Sequence, residues 1–272
     1  MKMLIKFFVM ALASSCWSQT PTSGTPAQDR LQYDLPGGVK LVLRRVPSGT
    51  FQMGGAASDR TNPRRKVTLT RDYYIGETEA TQAQWESVMG KKPPGFFDPA
   101  GPRFPVGVSR DDVDEFLTRI NHLLGLAGES RLRFPTEAEW ERAMRAGSQT
   151  RFPFGDLREC TDPRVSCTIA EEHAWLDTNS NSKWHEVGLK KPNAYGLFDM
   201  LGNVDELVQD WYSDGPWSAV ATDPAGPPSP TIGALARGGS WRFGLNSLES
   251  RRGPIARFHR SDEVGFRVAR SK

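Results

Sequence analysis

The feature that most constrains this chain is its density of residues that interrupt regular secondary structure. Glycine (26 residues) and proline (20 residues) make up about 17% of the 272 residues, compared with about 12% in average proteins. They are spread along a chain that also carries eight tryptophans and fourteen phenylalanines. Glycine and proline end helices and strands, whereas large aromatic rings fill a core. The sequence therefore predicts short elements joined by long ordered loops.

The overall composition excludes several classes of protein. A charged fraction of 25% with a negative mean hydropathy excludes a multi-span membrane protein, and a hydrophobic fraction of 38% argues against a disordered chain. The formal net charge of +3 is too small to indicate a nucleic-acid partner. The length suits one large domain or two small ones with a sizeable core.

The first nineteen residues are predicted to be a secretory signal peptide. Lys2 and Lys6 flank the start of an apolar stretch over residues 7–13, and small residues with Cys16 follow it. Such a stretch is too short to span a bilayer. We therefore expect an exported, periplasmic protein, although an apolar first strand is the alternative interpretation.

The residues after the signal peptide divide into two parts. Residues 20–32 are polar without an apolar period and predict a flexible spacer, and residues 33–272 have the composition of a folded domain. The segment before Cys16 weakly resembles a lipobox. A lipid on Cys16 is the alternative to simple cleavage, and we expect membrane contact only in that case.

Helices and strands are both expected within the domain. Residues 39–46, 50–53, 66–70, 73–75 and 264–268 are rich in β-branched and aromatic residues and predict strands.

Three helices have recognisable N-termini. Thr81 and Thr136 begin capping-box patterns, and Ser109 precedes acidic residues that favour a helix start. The second helix has apolar residues at helical spacing, namely Val113, Phe116, Leu117 and Ile120. These patterns predict an α+β domain with little regular secondary structure.

Seven segments, in order, resemble the formylglycine-generating enzyme family, also called the sulfatase-modifying factor domain. The most specific are FPTEAEWE at 134–141, NAYGLFDMLGNV at 193–204 and RGGSW at 237–241. Residues 46–54, 75–85, 105–109 and 265–267 extend the resemblance over roughly 39–270. The resemblance implies the family's variant of the C-type-lectin-like fold.

The thiols that the family's oxidases use are missing from this sequence. Those enzymes bind copper through two cysteines placed shortly after the Arg-Gly-Gly-Ser segment, since soft thiolates select Cu(I). Here the matching positions are Phe243 and Leu248, and no cysteine follows Cys167. We therefore expect no copper, no formylglycine-generating activity and no catalytic residue of that type.

Cys160 and Cys167 are the other two cysteines, and they are close in sequence. In an exported protein such a pair predicts a disulfide that closes a short loop. A displaced redox or copper-binding pair is the alternative.

The resemblance also implies a structural Ca²⁺ site. Its ligands would be a side-chain oxygen of Asp199, the backbone carbonyls of Gly202 and Val204, and the carboxylate of Glu206. Such hard oxygen donors suit Ca²⁺. Asp205 could add a ligand or face water. The alternative is a hydrogen-bonded loop without an ion.

The end of the chain carries most of the positive charge. From 237 to 272 there are nine basic and three acidic residues. These cations could form an anion- or protein-binding surface, or could bond the carbonyls of loops. The predicted partner groove lies at the former cysteine positions and consists of Trp241, Arg242, Phe243, Leu248 and Arg252.

Three functions are consistent with these patterns. The first is an exported, non-catalytic family member that binds a periplasmic or membrane-anchored protein. Similar cysteine-less domains regulate secretion or signalling systems, such as the threonine-kinase pathway of type VI secretion. The alternative is a thiol-independent periplasmic oxidase-like enzyme in siderophore (pyoverdine-type) chromophore maturation, with Glu249, Arg252, His259 and Asp262 as candidate groups. The third is a lectin-like module that binds another ligand.

Overall fold

The computed structural model describes ten parts of the chain, namely residues 29–55, 62–95, 99–157, 160, 167–213, 215, 220–227, 229, 232–245 and 253–272. The predicted signal peptide, with Cys16, lies outside them, and so do Leu248, Glu249 and Arg252. Four α-helices lie within these parts, and none of the four is long and apolar enough to cross a membrane. They are α1 (Gln82–Met89), α2 (Arg110–Leu123), α3 (Glu137–Arg145) and α4 (Thr168–His173).

Twelve strands lie within the same parts of the chain. They are β1 (Arg30–Asp34), β2 (Lys40–Val46), β3 (Gly49–Met53), β4 (Arg65–Leu69), β5 (Tyr73–Gly76), β6 (Leu132–Arg133), β7 (Asp205–Trp211), β8 (Val220–Thr222), β9 (Ala234–Arg237), β10 (Gly253–Ile255), β11 (Val264–Phe266) and β12 (Ala269–Ser271). Short helices and strands separated by long ordered segments confirm the predicted α+β class.

The three predicted helix starts are confirmed. In α1, α2 and α3 the capping hydroxyls of Thr81, Ser109 and Thr136 accept the backbone N–H three residues on, and the side chain at that position bonds back to the cap. These reciprocal bonds satisfy backbone donors that have no partner within the helix. Helix α2 buries the four apolar residues that its spacing predicted.

The largest sheet joins the two ends of the domain. It has five strands in the order β1-β2-β5-β12-β6, so the final strand lies between β5 and β6. Ala269 of β12 pairs with Ile75 on one side and with Arg133 on the other. This sheet also corrects one expectation, because Arg30–Gln32 belong to β1, within the predicted spacer.

Two smaller sheets contain parts of three family segments, at residues 46–54, 237–241 and 265–267. One has the order β10-β9-β7-β11, and the other has the order β3-β4-β8. Strand β7 is central in the first of these, pairing antiparallel with β9 and parallel with β11. The expected metal segment therefore continues directly into a buried strand.

The core consists of two main apolar clusters. Trp140 of α3 lies in the first, and Trp85 of α1 lies in the second beside Phe116 and Phe266. The rings of Trp85 and Phe116 are stacked at 5.6 Å, and those of Phe116 and Phe266 meet edge to face at 5.3 Å. The aromatic residues thus connect elements that are far apart in sequence, as the composition predicted.

Candidate functional site

Several charged side chains in and next to the family segments are buried, and they are called the buried layer below. Glu206 of β7 and Arg267 after β11 are almost completely buried. The Arg267 guanidinium donates to both Glu206 oxygens, with Nε 2.6 Å from Oε2. Trp140 Nε1 also donates to Oε2 of Glu206, at 2.7 Å. Both oxygens of Glu206 therefore already accept hydrogen bonds from this chain.

A second buried ion pair joins two of the family segments, 134–141 and 237–241. Arg237 of β9 donates through Nη2 to Oε2 of Glu141 at 2.7 Å, and Arg145 donates to the other oxygen of Glu141. Gly54 N–H also donates to that oxygen, at 2.7 Å. Burial opposes ionisation of Glu141, but Arg237 and Arg145 hold the pKa of its carboxyl below the ordinary value.

Asp199 has a different environment from Glu206. Its Oδ2 accepts the backbone N–H of Gly188 at 2.7 Å, whereas Oδ1 is buried and meets no hydrogen-bond donor in the described part of the chain. Burial is the main reason that the pKa of Asp199 rises to about 6. The backbone of Asp199 lies in the left-handed region, with φ of 52°.

The expected Ca²⁺ ligands can be compared with these contacts. Asp199 fits, because a buried oxygen is available for a cation. Glu206 fits poorly, because Arg267 and Trp140 already bond its carboxylate. Across the described residues, no group of three or more His, Cys, Asp or Glu side chains has the arrangement of a metal site. The Ca²⁺ site, with the backbone carbonyls of Gly202 and Val204 among its ligands, therefore remains a prediction.

Asp205 does not face water, contrary to one of the two expectations for it. Its side chain is buried, and Oδ1 accepts the backbone N–H of Gly239 at 2.9 Å. It therefore fixes the turn that leads into Trp241, because the two glycines before Ser240 have positive φ.

The structure describes three of the five predicted groove residues. Trp241 is buried and donates through Nε1 to the carbonyl of Asp262 at 3.1 Å. Arg242 is exposed, and its guanidinium lies 4.8 Å from the centre of the Trp241 ring. Phe243 is partly buried against the main core. An aromatic side chain that packs against the core therefore lies at the position where the family resemblance predicted a cysteine.

An exposed aromatic residue lies on the loop beside this groove. Phe258 follows β10 and is 76% exposed. The same loop continues to Asp262, whose carbonyl accepts from Trp241. Trp241, Arg242 and Phe258 are called the Trp241 surface below. The sequence analysis missed Phe258, although its position among basic residues near the chain end was a possible signal.

The arginines near the end of the chain mostly have acidic partners. Six of the nine basic residues form ion pairs: Arg237 with Glu141, Arg242 with Glu263, Arg257 with Asp111, Arg260 with Asp112, Arg267 with Glu206 and Lys272 with Asp72. Arg270 donates to the hydroxyl of Tyr33 at 2.8 Å. Residues from other elements therefore balance most of this positive charge, which argues against a large anion-binding surface.

The two cysteines of the domain are joined. Cys160 and Cys167 form a disulfide with Cα atoms 5.7 Å apart. Cys167 is the N-cap residue of α4. The bond thus connects the start of this helix to the segment before it.

The fold and these motifs define a C-type-lectin-like domain, in which no cysteine follows Cys167. The family model of the sulfatase-modifying factor enzyme 1-like domain matches residues 41–272. The chain belongs to this family.

Relatives in the family differ in how much of each chain is shared. A formylglycine-generating enzyme from Streptomyces coelicolor is 36% identical over 249 residues, covering 72% of this chain and 77% of that enzyme. The chaperone protein LppX from Paenibacillus barcinonensis is 26% identical, covering 100% of this chain and 99% of LppX. The serine/threonine-protein kinase pkn1 from Chlamydia pneumoniae is 37% identical over 148 residues, which is 51% of this chain and only 21% of the kinase.

Two solved structures share the fold. Treponema denticola variable protein 1 has a TM-score of 0.78 and 27% identity, covering 91% of this chain and 100% of that chain. PvdO from Pseudomonas aeruginosa has a TM-score of 0.71 and 28% identity, covering 85% and 94% respectively. These likenesses confirm the C-type-lectin-like variant that the sequence implied.

Proposed function

We propose that this protein is an exported, non-catalytic member of its family that binds a protein partner through the Trp241 surface. The observation that carries the proposal is Phe258, an aromatic side chain that is 76% exposed on the loop whose Asp262 carbonyl accepts from Trp241. Burying such a side chain is favourable by about 2 kcal/mol. Aromatic residues and arginine also dominate the binding energy of many protein interfaces.

The residues under this surface favour docking over the family's oxidation. Phe243 lies at a position that the resemblance matches to a family cysteine, and its side chain packs against the core and can supply no thiolate for copper. Trp241 is held by its bond to Asp262, and Arg242 is held by Glu263 through an Nη1 to Oε1 distance of 3.2 Å. Side chains that are already ordered lose less entropy when a partner binds.

The names of two relatives support a role with other proteins. LppX, which matches along its full length, is named a chaperone protein. The chlamydial match is to part of a serine/threonine-protein kinase. We propose on this basis an accessory role in a secretion or signalling system of the cell envelope, with the threonine-kinase pathway of type VI secretion as the specific candidate.

Site-specific photo-crosslinking tests the docking surface. A photo-reactive phenylalanine analogue at Phe258 is compared with the same analogue at Ile169, which is 42% exposed on α4. Both proteins are irradiated in the envelope of the producing cell. We expect one saturable crosslinked protein from position 258 and none from position 169, and we expect Arg242→Ala to reduce the yield several-fold.

Two outcomes contradict the docking proposal. The first is an equal set of products from positions 258 and 169, which would mean that contact is non-specific. The second is an absence of products from position 258 while the full-length protein is folded and present in the envelope.

The second candidate is the thiol-independent oxidase-like enzyme of siderophore chromophore maturation. The observation in its favour is that His259 and Asp262 lie on one loop, and that the carbonyl of Asp262 accepts from Trp241. His259 is exposed there, and its backbone N–H donates to Ala256. Oxidation of a peptide-siderophore precursor by the purified protein, lost in His259→Ala and in Asp262→Asn, would favour this enzyme over the docking protein.

A further inference from the structure

Strand β1 forms one edge of the five-stranded sheet. Among the described strands it pairs with β2 alone, in a continuous register from Arg30–Arg44 to Asp34–Lys40. Natural edge strands are commonly interrupted by proline, by glycine or by a bulge, which hinders the addition of a further strand. Strand β1 has the sequence RLQYD, without proline or glycine, and its register with β2 has no bulge. The edge is therefore regular enough to accept another strand.

The backbone bonds at the two ends of β1 show which residues face outward. Before β1, the carbonyl of Asp29 accepts the N–H of Arg45 at 3.0 Å. After β1, the N–H of Leu35 donates to the carbonyl of Val39 at 2.8 Å. Because hydrogen-bonded positions alternate along an antiparallel pair, the odd-numbered residues between these bonds face β2. The backbone groups that face away from β2 belong to Arg30, Gln32 and Asp34.

The order of residues along β1 makes this strand complementary to itself. In an antiparallel pair centred on Gln32, Arg30 of each chain lies opposite Asp34 of the other, as two-fold symmetry requires. Leu31 and Tyr33 lie opposite each other in the same way. This register also pairs all the outward-facing backbone groups of the strand. A shift by two residues would leave some of these groups unpaired and would separate the opposite charges.

Arg30 is in need of an acidic neighbour. Its side chain is exposed, and the ion pairs that β1 and β2 form with described residues do not include it. It lies opposite Arg44 of β2, and like charges in opposite positions destabilise a sheet. Arg44 bonds Glu77 at 2.7 Å. A carboxylate on the outer side of β1 would therefore offset the charge of Arg30.

Asp34 can supply that carboxylate to a second chain. Its side chain is 71% exposed. The two bonds that it accepts from described residues, from Lys40 Nζ and Gln32 Nε2, both involve Oδ1. Oδ2 is thus available to an arginine across the edge, in a charge-assisted hydrogen bond.

The apolar residues of β1 are on the opposite face from these charges. Leu31 and Tyr33 are partly buried against the second core cluster. The Tyr33 hydroxyl accepts from Arg270 Nη1 at 2.8 Å, which fixes the position of the ring. A second β1 would place an aliphatic side chain beside each of these rings, and such cross-strand pairs are favourable. One face of the extended edge would therefore be apolar and the other would have alternating charges.

We propose that a second copy of this chain pairs with β1 through β1, so that the five-stranded sheets of two molecules join across a two-fold axis. The charge complementarity of Arg30 and Asp34 selects a second copy over other strands. The proposal concerns a different surface from the Trp241 surface and does not depend on the proposed function.

Sedimentation velocity tests this interface on the protein in the form that the cell produces. The mass of the wild type is expected to double as its concentration rises. Arg30→Asp and Asp34→Arg each place like charges at both contacts, and each is expected to weaken self-association at least tenfold. Lys66→Asp is the matched control, because Lys66 is exposed on the middle strand of another sheet. It is expected to associate as the wild type does.

Mixing the two charge-reversal variants tests the register. In an equimolar mixture, each Arg30→Asp chain meets opposite charges on an Asp34→Arg chain at both contacts, so we expect the dimer to return in the mixture alone. Gln32→Pro removes the central outward N–H, and we expect a folded monomer because proline is tolerated on edge strands. Circular dichroism and Tm establish that each variant is folded.

Three results would overturn the proposal. The first is a wild-type protein that stays monomeric at every concentration, including the case in which residues 1–28 of the same chain cover this edge. The second is a dimer that persists in both Arg30→Asp and Gln32→Pro, which would place the contact elsewhere. The third is a mixture that does not dimerise although both charge-reversal variants are folded monomers, which would exclude this register.

Discussion

Arg267 is the residue on which the buried layer most depends. It bonds Glu206, and it also donates to the carbonyls of Gly76 and Phe198 at 2.9 and 3.0 Å. These bonds connect β5, β7 and the segment before β7 through one fully buried side chain. The sequence placed Arg267 in a family motif, but its partners could not be predicted because all of them are distant in sequence.

Removing this side chain gives the prediction at the residue scale. Arg267→Ala leaves Glu206 buried without its counter-ion, and we expect the free energy of unfolding to fall by about 3–5 kcal/mol. Urea unfolding followed by tryptophan fluorescence measures the loss. Arg71→Ala is the control, because Arg71 and Glu129 form an ion pair in which both side chains are 69% exposed, and such exposed pairs contribute little to stability. Equal losses in the two variants would contradict this account.

Single elements were predictable where their signals are local. The capping boxes of α1, α2 and α3 involve residues only three positions apart, so the sequence placed all three helix starts. Strand β7 could not be predicted in the same way. It is buried on both faces, and Asp205, Glu206 and Asp210 interrupt its apolar pattern. Those acidic side chains are tolerated because groups on other elements bond them.

The cap of α3 gives the prediction at the element scale. The Thr136 hydroxyl accepts the N–H of Glu139 at 3.1 Å, and the Glu139 carboxylate accepts the N–H of Thr136 at 2.8 Å. Thr136→Ala removes the first bond, and we expect a loss of about 1 kcal/mol in urea unfolding. Thr136→Ser keeps a hydroxyl at the cap and is expected to lose much less. A Thr136→Ser protein as unstable as Thr136→Ala would show that packing of the methyl group, and not the cap, is responsible.

The arrangement of the whole molecule depends on pairings between distant segments. Strands β4 and β8 pair in parallel although Lys66 and its partner Val220 are 154 positions apart in the sequence. Strand β12 joins the sheet begun by β1 and β2. Local sequence patterns contain no information about such strand partners. The architecture was therefore predicted from the family resemblance and not from hydrophobic periodicity. For the same reason, the sequence alone did not identify the buried polar groups that connect separate elements.

Asp210 is one such group, and it makes global stability depend on pH. Its oxygens accept the N–H groups of Glu137 at 2.7 Å and of Gly226 at 2.6 Å, which connects β7 to α3 and to the segment after β8. Burial, followed by repulsion from Glu137, raises the pKa of Asp210 from 3.8 to about 6. The folded protein therefore holds this proton more tightly than the unfolded chain does.

The sign of the effect follows from this difference in proton binding. The stability that protonated Asp210 contributes is complete below pH 4 and is lost as the pH rises from about 4 to about 6, by roughly 2–3 kcal/mol. Urea unfolding from pH 3.5 to pH 7 measures this loss against Asp210→Asn, in which it should be absent. Asp177→Asn, at an exposed carboxylate, should keep the wild-type dependence. If Asp210→Asn and the wild type lose stability in parallel over this interval, the proton is not held at Asp210.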